Sequence, residues 1–171
     1  MKPYKQLYYN ILIYRTPQNF FSYTLDEADA LQKAELREKQ LSAGTVCVPE
    51  SESAFLKKLP AYRDEVANWM IEKKPYLNPS FKLIDVSEIL PLNRTYLSRV
   101  FNDGFGDSFS NVVRDYRIRE AEWMLTNRKD ISVGQVGELC GFSSSSVFHR
   151  AFVQSHDGLT PNRYRKQLEE Y

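Results

Sequence analysis

Residues 132–155 read Ser132-Val133-Gly134-Gln135-Val136-Gly137-Glu138-Leu139-Cys140-Gly141-Phe142-Ser143-Ser144-Ser145-Ser146-Val147-Phe148-His149-Arg150-Ala151-Phe152-Val153-Gln154-Ser155. Two helical patterns meet in this stretch. The first runs from Ser132 to Cys140 and stops at Gly141, a residue able to take the left-handed conformation that ends a helix. Phe142 is placed to plug the space between the two helices. In the second, Ser144 to Ser155, Phe148, Ala151 and Phe152 fall on one helical face. Ser145, Ser146, His149 and Arg150 fall on the other face, and none is acidic.

The same layout stands upstream. Ile84 to Leu90 is followed by Asn93-Arg94-Thr95-Tyr96-Leu97-Ser98-Arg99-Val100-Phe101, with Asn93 suited to cap the second helix. Leu97, Val100 and Phe101 make its inner face. Thr95, Ser98, Arg99 and Asn102 make its outer face, again without an acid. A helix that enters the DNA major groove needs such a face, because carboxylates there meet phosphate repulsion. Further helical patterns span 110–126 and 161–169, bounded by Gly104, Gly106, Asn127 and Gly158. No segment after Pro75 alternates as a strand does. The expected fold class is all-α: two helix-turn-helix units joined by a long central helix, preceded by a short N-terminal extension with a linker helix.

Composition sets the bounds. The chain has 171 residues, 42% hydrophobic and 26% charged, which describes a globular protein. A net charge of +1 gives no bulk attraction to a polyanion, so a nucleic-acid reading rests on where the charges sit. Two cysteines, Cys47 and Cys140, form neither a zinc motif nor a disulfide framework. With no signal-peptide pattern at the start, a cytoplasmic setting is expected. Only two histidines are present and no nucleophile–base set stands out, so neither enzyme chemistry nor a cofactor or metal is expected.

The front of the chain is less informative. Residues 8–14 favour a strand by composition, and 25–41 read as a helix opened by a Thr24–Glu27 capping box. Ser42 to Ser53 reads as linker. A connecting helix is expected over 60–74, opening near Pro60 and stopping before Pro75. Its Tyr62, Val66, Trp69 and Met70 form an apolar face. The expected division is therefore 1–59 extension and linker, 60–74 connecting helix, and 75–171 the double helix-turn-helix domain.

The run Val136 to Ser143, then Phe148, Arg150 and Phe152, then Gly158-Leu159-Thr160-Pro161 and Tyr164-Arg165, resembles the signature of the AraC/XylS family of bacterial transcription regulators. Leu97-Ser98-Arg99-Val100-Phe101, Gly106, Ser108-Phe109, and Arg117-Ile118 with Ala121 and Leu125 look like the first half of the same domain. The resemblance covers roughly residues 76–168. It implies a sequence-specific regulator that binds double-stranded DNA. Base contacts would come from Thr95, Ser98, Arg99 and Asn102 in one recognition helix and from Ser145, Ser146, His149 and Arg150 in the other. The two would enter successive major-groove segments. The central helix would be roughly 25 Å long at ~1.5 Å per residue, against ~34 Å for one DNA turn. RNA polymerase is an expected further partner, and the extension at 1–59 is a candidate for homodimerisation or for docking a signalling partner. That extension is too short for the ligand-binding barrel of many family members, so no small-molecule effector domain is expected.

Plainer readings stand beside these. Ser145 and Ser146 are candidate caps, and His149 a solvated surface residue. The alternative function is a protein–protein module, or the output part of a signalling system with little DNA specificity of its own. Arg114, Arg117 and Arg119 form a basic patch mixed with Asp115, Glu120 and Glu122, with pairing expected at helical spacing. Trp69, Trp123 and Cys140 read as core. Gly137 stands where the family usually has Ala, which is expected to loosen its helix.

Overall fold

The computed structural model describes residues 51–169. The strand expected at 8–14, the helix expected at 25–41 and Cys47 lie outside the described residues. Helix α1 spans Glu52–Lys73, α2 Arg94–Arg99, α3 Phe109–Asn127, α4 Val133–Leu139, α5 Ser145–Ser155 and α6 Pro161–Glu169. Short 3-10 turns occupy Pro75–Leu77 and Leu83–Glu88, and α2 continues into a π-helical turn over Val100–Phe105. No strand occurs among the described residues, and the fold is all-α with a long central helix, α3. The described residues divide into two compact units, 51–67 with 86–106 and 68–85 with 107–169.

In the first unit α1 begins at Glu52, not near Pro60, which lies inside the helix. A proline in a helix interior costs about 3 kcal/mol and removes one N–H. Two things carry the helix past it. The Ser51 hydroxyl accepts a hydrogen bond from the Ala54 N–H at 3.2 Å, a cap that the linker reading of this stretch passed over. Phe55, one turn in, is fully buried, which contributes about 1.5–3 kcal/mol. Its ring lies 4.9 Å from that of Tyr96. Asn93 caps α2 as its side chain predicts, accepting from the Tyr96 N–H at 3.0 Å. The following π-turn brings Phe101 and Phe105 into a stacked pair, 5.2 Å between ring centroids, and both are buried. Gly106, at φ 75°, closes the turn with its N–H on the Phe101 carbonyl.

In the second unit, Ile118, Ala121 and Leu125 of α3 pack with Val136, Cys140, Phe142, Phe148, Ala151 and Phe152. Ser132 and Gln135 form a capping box on α4, with bonds of 3.2 and 2.8 Å. The helix ends through Gly141 at φ 81°, with the Phe142 N–H donating to the Gly137 carbonyl at 3.1 Å. Close approach imposes glycine twice here. A Cβ on Gly141 would lie 2.6 Å from the carbonyl oxygens of Tyr76 and Leu77. A Cβ on Gly137 would lie 2.8 Å from the ring of Phe148 and 2.9 Å from its Cβ. Gly137 is therefore what lets α5 seat against α4, and the expected loosening of the helix is the smaller effect.

Polar groups tie the front of this unit to α3. The Arg117 guanidinium donates to the carbonyls of Tyr76 and Asn78 at 2.7 and 2.9 Å. Glu120, only 6% exposed, accepts from Lys74 Nζ at 2.8 Å and from the Tyr76 hydroxyl at 3.2 Å. So Arg117 is a structural clamp, and Glu120 pairs outside its own helix. Trp69 is buried against Phe81, as expected. Trp123 is not core: half of it is exposed, because it lies on the side of α3 away from Ile118 and Leu125.

Candidate nucleic-acid interface

Two outward helix faces hold the residues expected to meet DNA. On α5, Ser144 takes the capping role, its hydroxyl accepting from the Val147 N–H at 3.3 Å. Ser145 and Ser146 are thus left exposed rather than spent as caps. Phe148, Ala151 and Phe152 bury the opposite side. Ser145, Ser146, His149 and Arg150 line one shallow concave surface together with Val153 and Gln154. Sequence reasoning missed the last two, although Gln154 stands one turn after Arg150. Among the described residues Arg150 has no carboxylate or carbonyl partner. Its fork of donors is free for bidentate acceptors such as guanine O6 and N7.

The face on α2 is chemically different. Thr95 and Asn102 are exposed, and Ser98 and Arg99 are half-buried. The Asn102 amide donates to the Ser98 hydroxyl at 3.3 Å. All three guanidinium nitrogens of Arg99 are engaged. Its Nη1 and Nη2 donate to the two carboxylate oxygens of Glu52 at 2.8 and 2.7 Å, and its Nε to Asp103 at 3.0 Å. The Phe55 ring lies 4.6 Å under the guanidinium carbon. These bonds hold the guanidinium charged more firmly than usual, and the same contact lowers the Glu52 carboxyl below its ordinary range. The expectation of an acid-free outer face is corrected here. Asp103 follows Arg99 by four residues and was legible from helical spacing, whereas Glu52 reaches it from α1.

A family model described as a helix-turn-helix domain matches residues 86–167. The Msm operon regulatory protein of Streptococcus mutans is 26% identical over 128 residues, covering 68% of this chain and 45% of the relative. The HTH-type transcriptional regulator CdhR of Pseudomonas aeruginosa is 31% identical over 97 residues, 57% of this chain and 28% of the relative. The chain thus spans less than half the length of these relatives. Among solved structures, the C-terminal domain of the two-component response regulator yesN from Fusobacterium nucleatum is similar, with TM-score 0.50, 27% identity, and coverage of 58% of this chain and 98% of that one. A transcriptional regulator with an AraC-type DNA-binding domain from Chromobacterium violaceum shares the fold, with TM-score 0.54, 24% identity, and coverage of 63% and 92%.

Residues 86–167 match a helix-turn-helix domain, and the relatives similar over this stretch are named as regulatory proteins. The described helices share their fold with both of these solved structures. Among the described residues no group of His, Cys, Asp and Glu is arranged to hold a metal, and no helix is long and apolar enough to cross a membrane.

Proposed function

We propose that the chain is a sequence-specific regulator of the AraC/XylS type whose α2 and α5 each enter a major-groove segment of one duplex. Residues 75–171 would be the DNA-binding module and the residues before it an adaptor. The observation that carries the reading is the α5 face. Ser145, Ser146, His149 and Arg150 share one exposed, acid-free surface, and Arg150 is unengaged among the described residues. A capped, well-packed helix presenting one free arginine and short hydrogen-bonding side chains suits direct readout of base edges. Thr95, Ser98, Arg99 and Asn102 are proposed as the corresponding set on α2. Contacts to RNA polymerase, or pairing of two copies through the extension, would be added functions of the same regulator.

The test is selection of duplexes from a random-sequence pool by the purified chain, followed by titration of the selected and a scrambled duplex at several salt concentrations. The expected result is an enriched motif, and binding to the selected duplex that exceeds binding to the scrambled one by at least about a thousandfold. Equal affinity for both would overturn sequence-specific function.

A further inference from the structure

Arg99 and Arg150 occupy equivalent places on the two outward helices, yet only Arg99 is ringed by carboxylates. An arginine reads guanine through a fork of two N–H donors. On Arg99 the end-on fork, Nη1 and Nη2, is filled by Glu52. The side-on fork is blocked at Nε by Asp103, and one face of the group rests on Phe55. Glu52 and Asp103 together outweigh the one positive charge of Arg99, so these three side chains sum to −1. A carboxylate that merely steadied a base-reading arginine would leave one fork open. We propose that the Glu52 side chain at the start of α1 is an intramolecular latch: it mimics the base acceptors, masks Arg99, and must be released before α2 reads DNA.

Four features make the latch specific to Glu52. It comes from a different helix than Arg99, so it can leave without unfolding α2. It sits in the first turn of α1, where a helix end opens most readily. Its carboxylate is well exposed, at 59% of the side chain, so water can take over its bonds. Asp103, by contrast, lies in the turn that continues α2 and contacts Arg99 through Nε alone. Release of Glu52 therefore frees the end-on fork while Asp103 and Phe55 go on holding the guanidinium in place.

This inference rests on the DNA-binding reading, and its test separates the two. The full chain and its Glu52→Gln variant are titrated against a duplex selected by the parent protein and against a scrambled duplex. Glu72→Gln, an exposed glutamate near the far end of α1, controls for net charge, and thermal unfolding checks that each variant folds. The latch predicts that Glu52→Gln tightens binding to the selected duplex about three- to tenfold, the range for loss of a bidentate, charge-assisted competitor. Glu72→Gln should gain less than about twofold, as expected for a remote, screened charge. The gain should be smaller on the scrambled duplex, and when Arg99 is Ala any gain should be equal on the two duplexes, as for a general charge effect. Equal gains from Glu52→Gln and Glu72→Gln, equal gains on both duplexes, or weaker binding by Glu52→Gln would each overturn the latch. Binding of no duplex by parent and variant alike would remove the DNA reading, and the latch with it.

Discussion

Arg150 and Arg99 make opposite single-residue predictions from one chemistry. Arg150→Ala removes a fork with no partner to leave behind among the described residues. It should cost about 1–3 kcal/mol on a selected duplex and much less on a scrambled one. Arg99→Ala also frees Glu52 and Asp103, whose charges then face the duplex unneutralised. Its loss should therefore extend to scrambled DNA and should shrink as salt screens the exposed carboxylates, as read by fluorescence anisotropy across salt. Cys140 gives a further check. The thiol is fully buried beside Met124, and burial pushes its pKa up to about 12. Far below that value the thiolate is scarce, so Cys140 should resist alkylation in the native chain near neutral pH and react once denatured. Peptide mapping after a short iodoacetamide pulse reads this directly, and prompt native labelling of Cys140 would place it outside the core.

At the scale of the helix pair, the α4–α5 contact is the element that presents Arg150, and Gly137 is its hinge of packing. Ala at 137 would gain about 1 kcal/mol of helix propensity. It would also force a Cβ into the Phe148 ring at 2.8 Å. Overpacking of a tight core site costs about 1–3 kcal/mol, so the net effect of Gly137→Ala should be destabilising. Urea unfolding of the variant checks the sign, and a raised midpoint would mean that Phe148 yields without cost. Phe152→Ala, from the same contact, should lose about 3–5 kcal/mol. These inner faces were legible in the sequence, because apolar spacing and the cap at Asn93 are local signals. What was not legible depends on contacts distant in sequence. The start of α1 is fixed by Phe55 against Tyr96, and the π-turn by burial of Phe105 with Phe101. Arg117 looked like part of a basic patch because its acceptors are the backbone carbonyls of Tyr76 and Asn78, which no side-chain pattern reveals. Trp123 was misplaced for the converse reason: aromatic size favours burial, but helical phase decides it.

Across the whole chain, a net charge of +1 leaves little general attraction to phosphate, so under the proposed function discrimination would come from the two helix faces. Arg99 belongs to the first compact unit and Arg150 to the second, and among the described residues they share no partner. If each reads its own groove segment of one duplex, their contributions are independent. Substitutions at distant sites without shared partners add to within about 0.3–0.5 kcal/mol. The double variant Arg99→Ala/Arg150→Ala should therefore lose the sum of the two single losses on a selected duplex. A second measurement tests the duplex itself. Inserting half a helical turn between the two halves of the selected motif, about 5 base pairs, rotates one half to the opposite face of the DNA. Affinity should then fall to the level of a chain that uses a single recognition helix, and the double variant should become no worse than one of the single variants. Strong sub-additivity on the unaltered motif, together with indifference to the insertion, would mean that only one helix reads DNA. The free arginine of α5 would then be the reader, and the carboxylate-bound face of α2 would serve another surface.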